Sequence, residues 1–253
     1  MTSPSLHDCP SGQAAVFTTA CPTSEKTNED SLVVLPLGKD SQLFAVADGV
    51  GGGKAGAQAS GLLVKTLASA DFDEHGGSFR PVILDSIERA NTSILGLGIG
   101  AACTLALVEI RGMQLRSYHV GDSFVMVVGR QGKLKYLTLD HSPVAYAVEA
   151  GLITPDEAIV HEERNLVSNV VGFAEMRIDI GPKLTLDPGD TVLVGSDGVS
   201  DNLREIEIKD LIRKGKIAEV GEQLLNHCLE RMLNPNPPEP SKPDDLSFIV
   251  YRP

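Results

Sequence analysis

Short apolar runs recur along most of this chain, each bounded by Gly, Pro, Asn or Asp. Runs rich in Val, Leu, Ile and Phe with such boundaries are typical of β-strands, and several are joined by turns that contain Gly. The first dozen residues contain Pro and Gly and predict a loose lead-in. The predicted strands are 14–19, 32–37, 42–47, 104–110, 114–120, 124–129, 133–138, 177–180, 184–186, 191–195 and 246–251.

Apolar residues spaced three and four positions apart predict helices elsewhere. The predicted helices are 54–70 and 81–95, a short pair at 143–151 and 154–160, and a region at 205–233 with potential breaks at Gly215 and Gly221. Thr154 precedes Pro155 and stands three residues before Glu157, which is a typical helix start. The acidic stretch 71–74 predicts a solvated loop between the first two helices. The glycine-rich segment 48–53 predicts an irregular loop.

The order of these elements indicates the fold class. Strands and helices alternate too irregularly for the repeated βαβ units of a doubly wound parallel sheet. Two packed antiparallel sheets with helices on both outer faces fit the order, so we expect an α+β fold, a four-layer αββα sandwich. No internal repeat is visible, and residues 1–253 are expected to form one domain with a Pro-rich loop at 234–243.

Composition narrows the function classes. The 253 residues are 42% hydrophobic, which is ordinary for a globular protein, and the net charge is −12. A nucleic-acid partner is not expected, because binding phosphates needs a basic face. No signal peptide or membrane span is visible, and the four cysteines form no C-x-x-C motif, so we expect a cytoplasmic protein without a membrane partner.

Four aspartates stand beside Gly or Ser at the ends of predicted strands: Asp48, Asp122, Asp197 and Asp244. Carboxylate oxygens are the ligands that Mg²⁺ and Mn²⁺ prefer. Two such ions about 3.5–4 Å apart could share and acidify a water, and their charge would cancel that of four converging carboxylates. Asp-Gly is also a common turn dipeptide, so each loop alone is more often a turn. The four together predict a divalent-metal site, and metal binding coupled to local order.

Seven short motifs follow one another along about 220 residues of the chain. They are NEDS at 28–31, DGVGG at 48–52 with AG at 55–56 and AS at 59–60, CTL at 103–105, HVGDS at 119–123, LTLDHS at 137–142, SDGV at 196–199 and DDLS at 244–247. Together they resemble the bacterial form of the PPM family of metal-dependent Ser/Thr protein phosphatases, the protein phosphatase 2C family. No single motif is diagnostic, but the ordered set is highly specific.

The resemblance implies a role for each matching residue. Asp48 would bridge two metal ions and Gly49 would offer its carbonyl, while Asp197 and Asp244 would complete the shell of the second ion. Asp48, Asp197 and Asp244 are therefore the expected catalytic residues. Glu29 would act through a metal-bound water.

Further residues complete the implied centre. Asp30 would orient the metal shell through hydrogen bonds, and Asp122 would join Asp197 at a weaker third ion. Asp245 occupies a position often held by Asn. The expected cofactors are two Mn²⁺ or Mg²⁺ ions, with a third as in bacterial relatives. A bridging hydroxide would attack phosphorus in line, without a phosphoenzyme.

Three positions depart from the family pattern. Glu25 stands where most members carry an Arg that grips the substrate phosphate, and Lys26 is adjacent. Either Lys26 substitutes as the phosphate-binding cation, or affinity for simple phosphoesters is weak. Val50 and Gly53 stand where some members have His.

The resemblance implies hydrolysis of phosphoserine and phosphothreonine on proteins, opposing a bacterial Ser/Thr kinase in signal transduction. The motifs say nothing about the oligomeric state, and we expect a monomer. Residues 143–164 would be the flap that selects substrates, with an ordinary helical hairpin as the alternative. Two rival functions stay open. One is a catalytically weak or silent relative that binds phosphoproteins, which Glu25 favours and the complete aspartate set opposes. The other is a phosphatase of small-molecule phosphate esters.

Overall fold

The computed structural model describes residues 3–72 and 78–253, so residues 73–74 of the predicted acidic loop lie outside it. Its strands are β1 (Ser5–Cys9), β2 (Gly12–Thr19), β3 (Ser31–Pro36), β4 (Ser41–Ala47), β5 (Gly49–Val50), β6 (Ala102–Cys103), β7 (Leu105–Arg111), β8 (Gln114–Val120), β9 (Phe124–Val128), β10 (Leu134–Leu137), β11 (Asp179–Ile180), β12 (Leu184–Thr185), β13 (Thr191–Gly195) and β14 (Leu246–Arg252). Its helices are α1 (Lys54–Ala68), α2 (Arg80–Leu95), α3 (Pro143–Glu149), α4 (Pro155–Ile159), α5 (Asp197–Ser200), α6 (Glu205–Ile212) and α7 (Ile217–Leu233).

Two antiparallel sheets form the centre of the molecule. One has the strand order β1-β2-β14-β13-β9-β10, and the other has the order β11-β8-β7-β4-β3, with β12 also paired to β8. The strands β5 and β6 form a separate two-residue ribbon. This arrangement confirms the predicted antiparallel topology.

Strand β4 shows how the sequence builds the layers. Every residue of Ser41–Ala47 is buried, because successive side chains point to opposite faces and both faces are covered. Phe44 and Val46 join the core between the two sheets, whereas Leu43 and Ala45 pack in the cluster that α1 and α2 share with their sheet. A third cluster packs α6 and α7 on the other sheet. The predicted αββα sandwich is therefore confirmed.

Some local predictions are wrong. The expected loose lead-in contains β1, which pairs with β2 although most of its side chains are not buried, so backbone hydrogen bonding rather than apolar burial defines it. Gly215 separates α6 from α7, but Gly221 lies inside α7. A Cβ at Gly221 would lie 2.7 Å from the Ala15 Cβ, so this glycine allows close helix–sheet packing and does not break the helix.

Two further segments differ in extent from the prediction. The glycine-rich loop includes the short strand β5, which pairs with β6 through backbone groups. The strand predicted at 177–180 shortens to Asp179–Ile180.

Within residues 3–72 and 78–253, no helix combines the length and apolar character that crossing a bilayer requires.

The topology brings the acidic loops to one edge of the sandwich. Strands β4 and β8 both pair antiparallel with β7, so they run in the same direction and end at the same edge. In the other sheet, the end of β13 lies beside the start of β14, where Gly195 pairs with Phe248. Residues that follow β4, β8 and β13 or precede β14 are thereby gathered, although they are distant in the sequence.

Candidate metal centre

Asp48 follows β4, and Thr104 holds its backbone on both sides. The backbone N–H of Asp48 donates to Thr104 Oγ1 over 3.0 Å, and the Thr104 N–H donates to the Asp48 carbonyl over 2.8 Å. Thr104 Oγ1 also lies 2.5 Å from Ser123 Oγ, in the residue after Asp122. One threonine therefore connects two loops that carry carboxylates.

The loop that carries Asp122 is held by His141. The backbone N–H of Gly121 donates to His141 Nδ1 over 3.1 Å, and the His141 N–H donates to the Gly121 carbonyl over 2.8 Å. Gly121 has a φ of +101°, and a Cβ there would lie 2.7 Å from the Thr104 Cβ. Glycine is therefore required for the close turn that positions Asp122.

Glu29 and Asp30 lie against the same edge. Glu29 Oε1 accepts a hydrogen bond from the Gly53 N–H over 2.5 Å, and the Ser196 hydroxyl donates to Asp30 Oδ2 over 2.8 Å. Asp30 is only 8% exposed, and its bond to Ser196 places it beside the start of α5. This placement suits the orienting role implied for Asp30.

Asp245 ties the Glu29 segment to the last strand. Its Oδ2 accepts from the Glu29 N–H over 2.6 Å, and its Oδ1 accepts from the Cys21 N–H over 2.7 Å. Asp244, one residue earlier, is thereby held near the same loop. The two acidic side chains of this pair have different surroundings, one bonded to backbone amides and one facing other carboxylates.

Asp197 and Asp244 share a cationic neighbour. The ammonium of Lys242 lies 2.8 Å from Asp197 Oδ2, 3.1 Å from Asp244 Oδ2 and 2.6 Å from Asp201 Oδ2. Asp201 lies one helical turn after Asp197 and faces the same region. The structure thus brings together Asp197 and Asp244, as the sequence predicts, and adds Asp201 and Lys242.

The predicted ligands perturb one another electrostatically. Burial raises the pKa of Asp48, Asp122 and Asp244, and the charge of Asp197 is the next cause in all three cases. Carboxylates repel one another in this way only when they lie close together, away from bulk water. Asp197 is therefore the electrostatic centre of the cluster.

Three further carboxylates share this environment. Burial raises the pKa of Asp30 to about 7 and the pKa of Asp140 to about 7. Burial, followed by the charge of Asp197, raises the pKa of Asp201 to about 6. A site in which charged carboxylates are this unfavourable strongly attracts cations.

The residues present fit divalent oxygen-seeking ions. Asp30 Oδ1, Asp122 Oδ1 and Glu29 Oε2 are buried and have no hydrogen-bond partner, so they are available to coordinate an ion or to accept a hydrogen bond from its water. The donors are all oxygens, which favours Mg²⁺ or Mn²⁺ over zinc. Within residues 3–72 and 78–253, no group of three or more His, Cys, Asp or Glu side chains is already arranged at the distances that would hold a metal ion. The carboxylates surround a region that also contains the ammonium of Lys242.

Sequence reasoning missed three contributors to this edge. Asp140 belongs to the LTLDHS motif, and Asp201 lies four residues after Asp197, one helical turn, which is the signal that could have indicated it. Lys242 precedes Asp244 by two residues, but that spacing alone does not show that its ammonium contacts three carboxylates. The motif shows Asp245 only as a departure from Asn, and its two backbone partners appear in the structure.

The predicted phosphate-binding side is exposed. Glu25 and Lys26 both face solvent. Burial raises the pKa of Glu29, while the charge of Lys26 acts in the opposite direction, so this ammonium lies near the centre.

Residues 143–164 include α3 and α4, with the predicted capping box between Thr154 and Glu157 present. The role of this segment as a flap stays a prediction.

Comparison with known proteins gives the same family as the motifs. The family model for protein phosphatase 2C matches residues 19–235. The Ser/Thr protein phosphatase PstP of Mycobacterium tuberculosis is 33% identical over 233 residues, which are 88% of this chain and 41% of PstP. The chain thus spans about two fifths of the length of that relative.

Solved structures agree with this match. A serine/threonine phosphatase of S. agalactiae has a TM-score of 0.80 at 29% identity, covering 94% of this chain and 98% of its own. The catalytic domain of PstP in complex with two manganese ions has a TM-score of 0.78 at 27% identity, covering 94% and 96%. Because the family model matches most of the length of this chain, the chain belongs to the protein phosphatase 2C family.

Proposed function

We propose that this chain hydrolyses phosphoserine and phosphothreonine esters on proteins in a reaction that depends on Mn²⁺ or Mg²⁺. The observation that carries the proposal is the gathering of carboxylates from separate segments around Asp197 at one edge of the sandwich. Support comes from PstP, a Ser/Thr protein phosphatase whose catalytic domain binds two manganese ions.

Asp48, Asp197 and Asp244 are the proposed catalytic ligands, joined by the Gly49 carbonyl. Two divalent ions would relieve the repulsion among these carboxylates. Asp122, together with Asp197, would bind a weaker third ion. When bound, such ions supply an acidified water and neutralise charge on the phosphate. The protein contributes a fixed arrangement of oxygens, since Thr104 holds the Asp48 backbone on both sides.

Two other residues act on the water and the metal shell. Glu29 is held through Oε1 by the Gly53 N–H, which leaves Oε2 to accept from a water in the centre. Asp30, held by Ser196, keeps the start of α5 in place and so positions Asp197. Lys26 is the proposed contact for the substrate phosphate, opposed by the charge of Glu25.

The test is hydrolysis of p-nitrophenyl phosphate and of a phosphothreonine peptide by the purified chain. We expect turnover with Mn²⁺, none with EDTA, and none in Asp197→Asn. The control is Asp187→Asn, which changes an exposed aspartate that pairs with Lys135 away from the centre.

Each rival function predicts a different result. A silent phosphoprotein-binding relative would bind Mn²⁺ and the phosphopeptide without turnover. A small-molecule phosphatase would hydrolyse metabolite phosphate esters much faster than phosphopeptides. Either result would contradict the proposal.

The proposed partners are phosphoproteins modified by an opposing Ser/Thr kinase, in bacterial signal transduction within the cytoplasm. The net charge of −12 argues against a nucleic-acid partner. We propose a monomer, and elution at a mass well above the chain's 26.9 kDa in size-exclusion chromatography would contradict this.

A further inference from the structure

The ammonium of Lys242 lies inside the acidic centre and not on the outer surface. Its three partners are Asp201 Oδ2 at 2.6 Å, Asp197 Oδ2 at 2.8 Å and Asp244 Oδ2 at 3.1 Å. A lysine ammonium has three N–H donors and no acceptor, so three carboxylates satisfy it completely. The side chain is 22% exposed.

The backbone of Lys242 is fixed by a buried side chain. The Lys242 N–H donates to Asn202 Oδ1 over 2.9 Å, and the Asn202 Nδ2 donates to the Lys242 carbonyl over 2.8 Å. Asn202 has no exposed surface and also donates to the Gly198 carbonyl in α5. The helix that begins at Asp197 therefore holds the loop that supplies the lysine, and the ammonium is positioned in advance.

Lys242 contributes a positive charge at this position. A lysine ammonium is charged at neutral pH, and the three carboxylate oxygens within 3.1 Å of it favour the charged form. The ammonium belongs to the same chain, so its effective concentration at these carboxylates is high and does not depend on the medium.

We propose that Lys242 is an internal cation that occupies part of the metal centre and competes with divalent ions for Asp197, Asp201 and Asp244. This inference rests on the metal centre of the proposed function and concerns how many ions that centre binds tightly. A single positive charge at these carboxylates takes a place that a divalent ion would otherwise hold. A divalent ion that needs Asp197 and Asp244 therefore binds only by displacing the ammonium, and it is the most weakly bound ion.

The experiment measures Mn²⁺ binding directly, by isothermal titration calorimetry and by the electron paramagnetic resonance signal of free Mn²⁺. We expect Lys242→Met to increase the affinity of the most weakly bound Mn²⁺ at least about tenfold, because a positive charge near the ion is removed. Lys242→Arg, which keeps the charge, should behave like the original chain. Lys242→Gln keeps a hydrogen-bond donor and serves if Lys242→Met does not fold.

The matched control is Lys135→Met. Lys135 also bridges two aspartates, at 2.6 Å from Asp187 and 2.5 Å from Asp190, but away from the centre. This variant should leave Mn²⁺ binding unchanged. A comparable gain in Lys135→Met would overturn the inference, since any loss of a lysine would then suffice.

The results separate this inference from the proposed function. If both neutral Lys242 variants bind Mn²⁺ with unchanged or weaker affinity while phosphatase activity is present, the inference fails and the function stands. If the original chain binds no Mn²⁺ but Lys242→Met does, the competition is confirmed and the proposed function fails. If neither binds Mn²⁺, both are overturned.

Discussion

Asp245 Oδ2 accepts a 2.6 Å hydrogen bond from the backbone N–H of Glu29, a residue 216 positions earlier in the chain. The other oxygen of the same carboxylate accepts from the Cys21 N–H. The segment before β3 and the segment before β14 are thereby joined by one side chain. Because Asp244 and Glu29 are both predicted to serve the metal centre, this side chain fixes the distance between two parts of it.

Replacing Asp245 should therefore loosen the centre. An amide has one acceptor oxygen, so Asp245→Asn keeps one hydrogen bond and turns an NH₂ group towards the other N–H. We expect a loss of about 1–2 kcal/mol in the free energy of unfolding and weaker Mn²⁺ binding. Urea denaturation in EDTA measures the first, and calorimetry measures the second. The control Asp8→Asn changes an exposed aspartate on β1, and a loss as large as that of Asp245→Asn would contradict this prediction.

Gly49 is required by the packing of α1 against the loop after β4. A Cβ at Gly49 would lie 2.3 Å from the Gly56 carbonyl carbon and 2.5 Å from its oxygen. Backbone atoms have no flexible end that could move, so Gly49→Ala should destabilise the protein by about 3 kcal/mol.

Gly52→Ala is the matched control for this prediction. Gly52 has a φ of +79° and no heavy atom within 4 Å of an added Cβ, so only backbone strain of about 1 kcal/mol is expected. Chemical denaturation of the two variants measures the difference. Equal losses would show that the close approach to Gly56 has no energetic consequence.

The metal-free protein should lose stability as the pH rises from about 4 to 7. Asp30 and Asp140 each have a folded-state pKa raised to about 7, whereas both ionise near 4 in the unfolded chain. Between about pH 4 and 7 the folded state therefore binds protons that the unfolded state does not, and the free energy of unfolding falls as the pH rises. The slope should approach about 1.4 kcal/mol per pH unit for each group near pH 5–6 and should vanish above about pH 8.

Thermal unfolding in EDTA at several pH values measures this effect. Asp30→Asn should flatten the slope, and saturating Mn²⁺ should remove or reverse it, because ions replace protons at the carboxylates. His119 acts in the opposite direction below about pH 7, because burial lowers its folded-state pKa to about 3 while it titrates near 6.5 in the unfolded chain, but one histidine offsets only about one of the two carboxyl groups. Stability of the metal-free protein that rises between pH 5 and 7 would contradict the assignment.

The charges beside the centre should affect phosphate binding. We expect Lys26→Met to raise the KM for p-nitrophenyl phosphate about fivefold, which corresponds to about 1 kcal/mol for an exposed charge. Glu25→Arg should lower the KM by a similar factor, because a repulsive carboxylate becomes a forked donor. Both effects should weaken at high salt.

Lys39→Met is the control for these variants, since Lys39 lies in the turn between β3 and β4, at the opposite end of β4 from Asp48. Its KM should be unchanged. If Lys26→Met has no effect while Glu25→Arg does, another cation binds the phosphate.

The strands and long helices were predictable because burial leaves a clear apolar pattern: β4, buried on both faces, is a continuous run, and α1, buried along one face, has buried residues three or four positions apart. The strand β1 was not, because its side chains are mostly unburied and its stability comes from pairing with β2. Gly221 was interpreted as a helix break because its sequence neighbours do not show that Ala15 lies 2.7 Å from where its Cβ would be.

The sequence by itself determined the family, the acidic loops and the residue types that suit divalent ions, since all of these are local motifs in a fixed order. Only the tertiary structure decided which side chains share a space. Asn202 holds the Lys242 backbone, and the ammonium contacts Asp197 and Asp201. Asp245 joins Glu29 to the segment before the last strand. Such contacts depend on how separate segments pack in three dimensions, and the spacing of residues along a chain does not specify that distance.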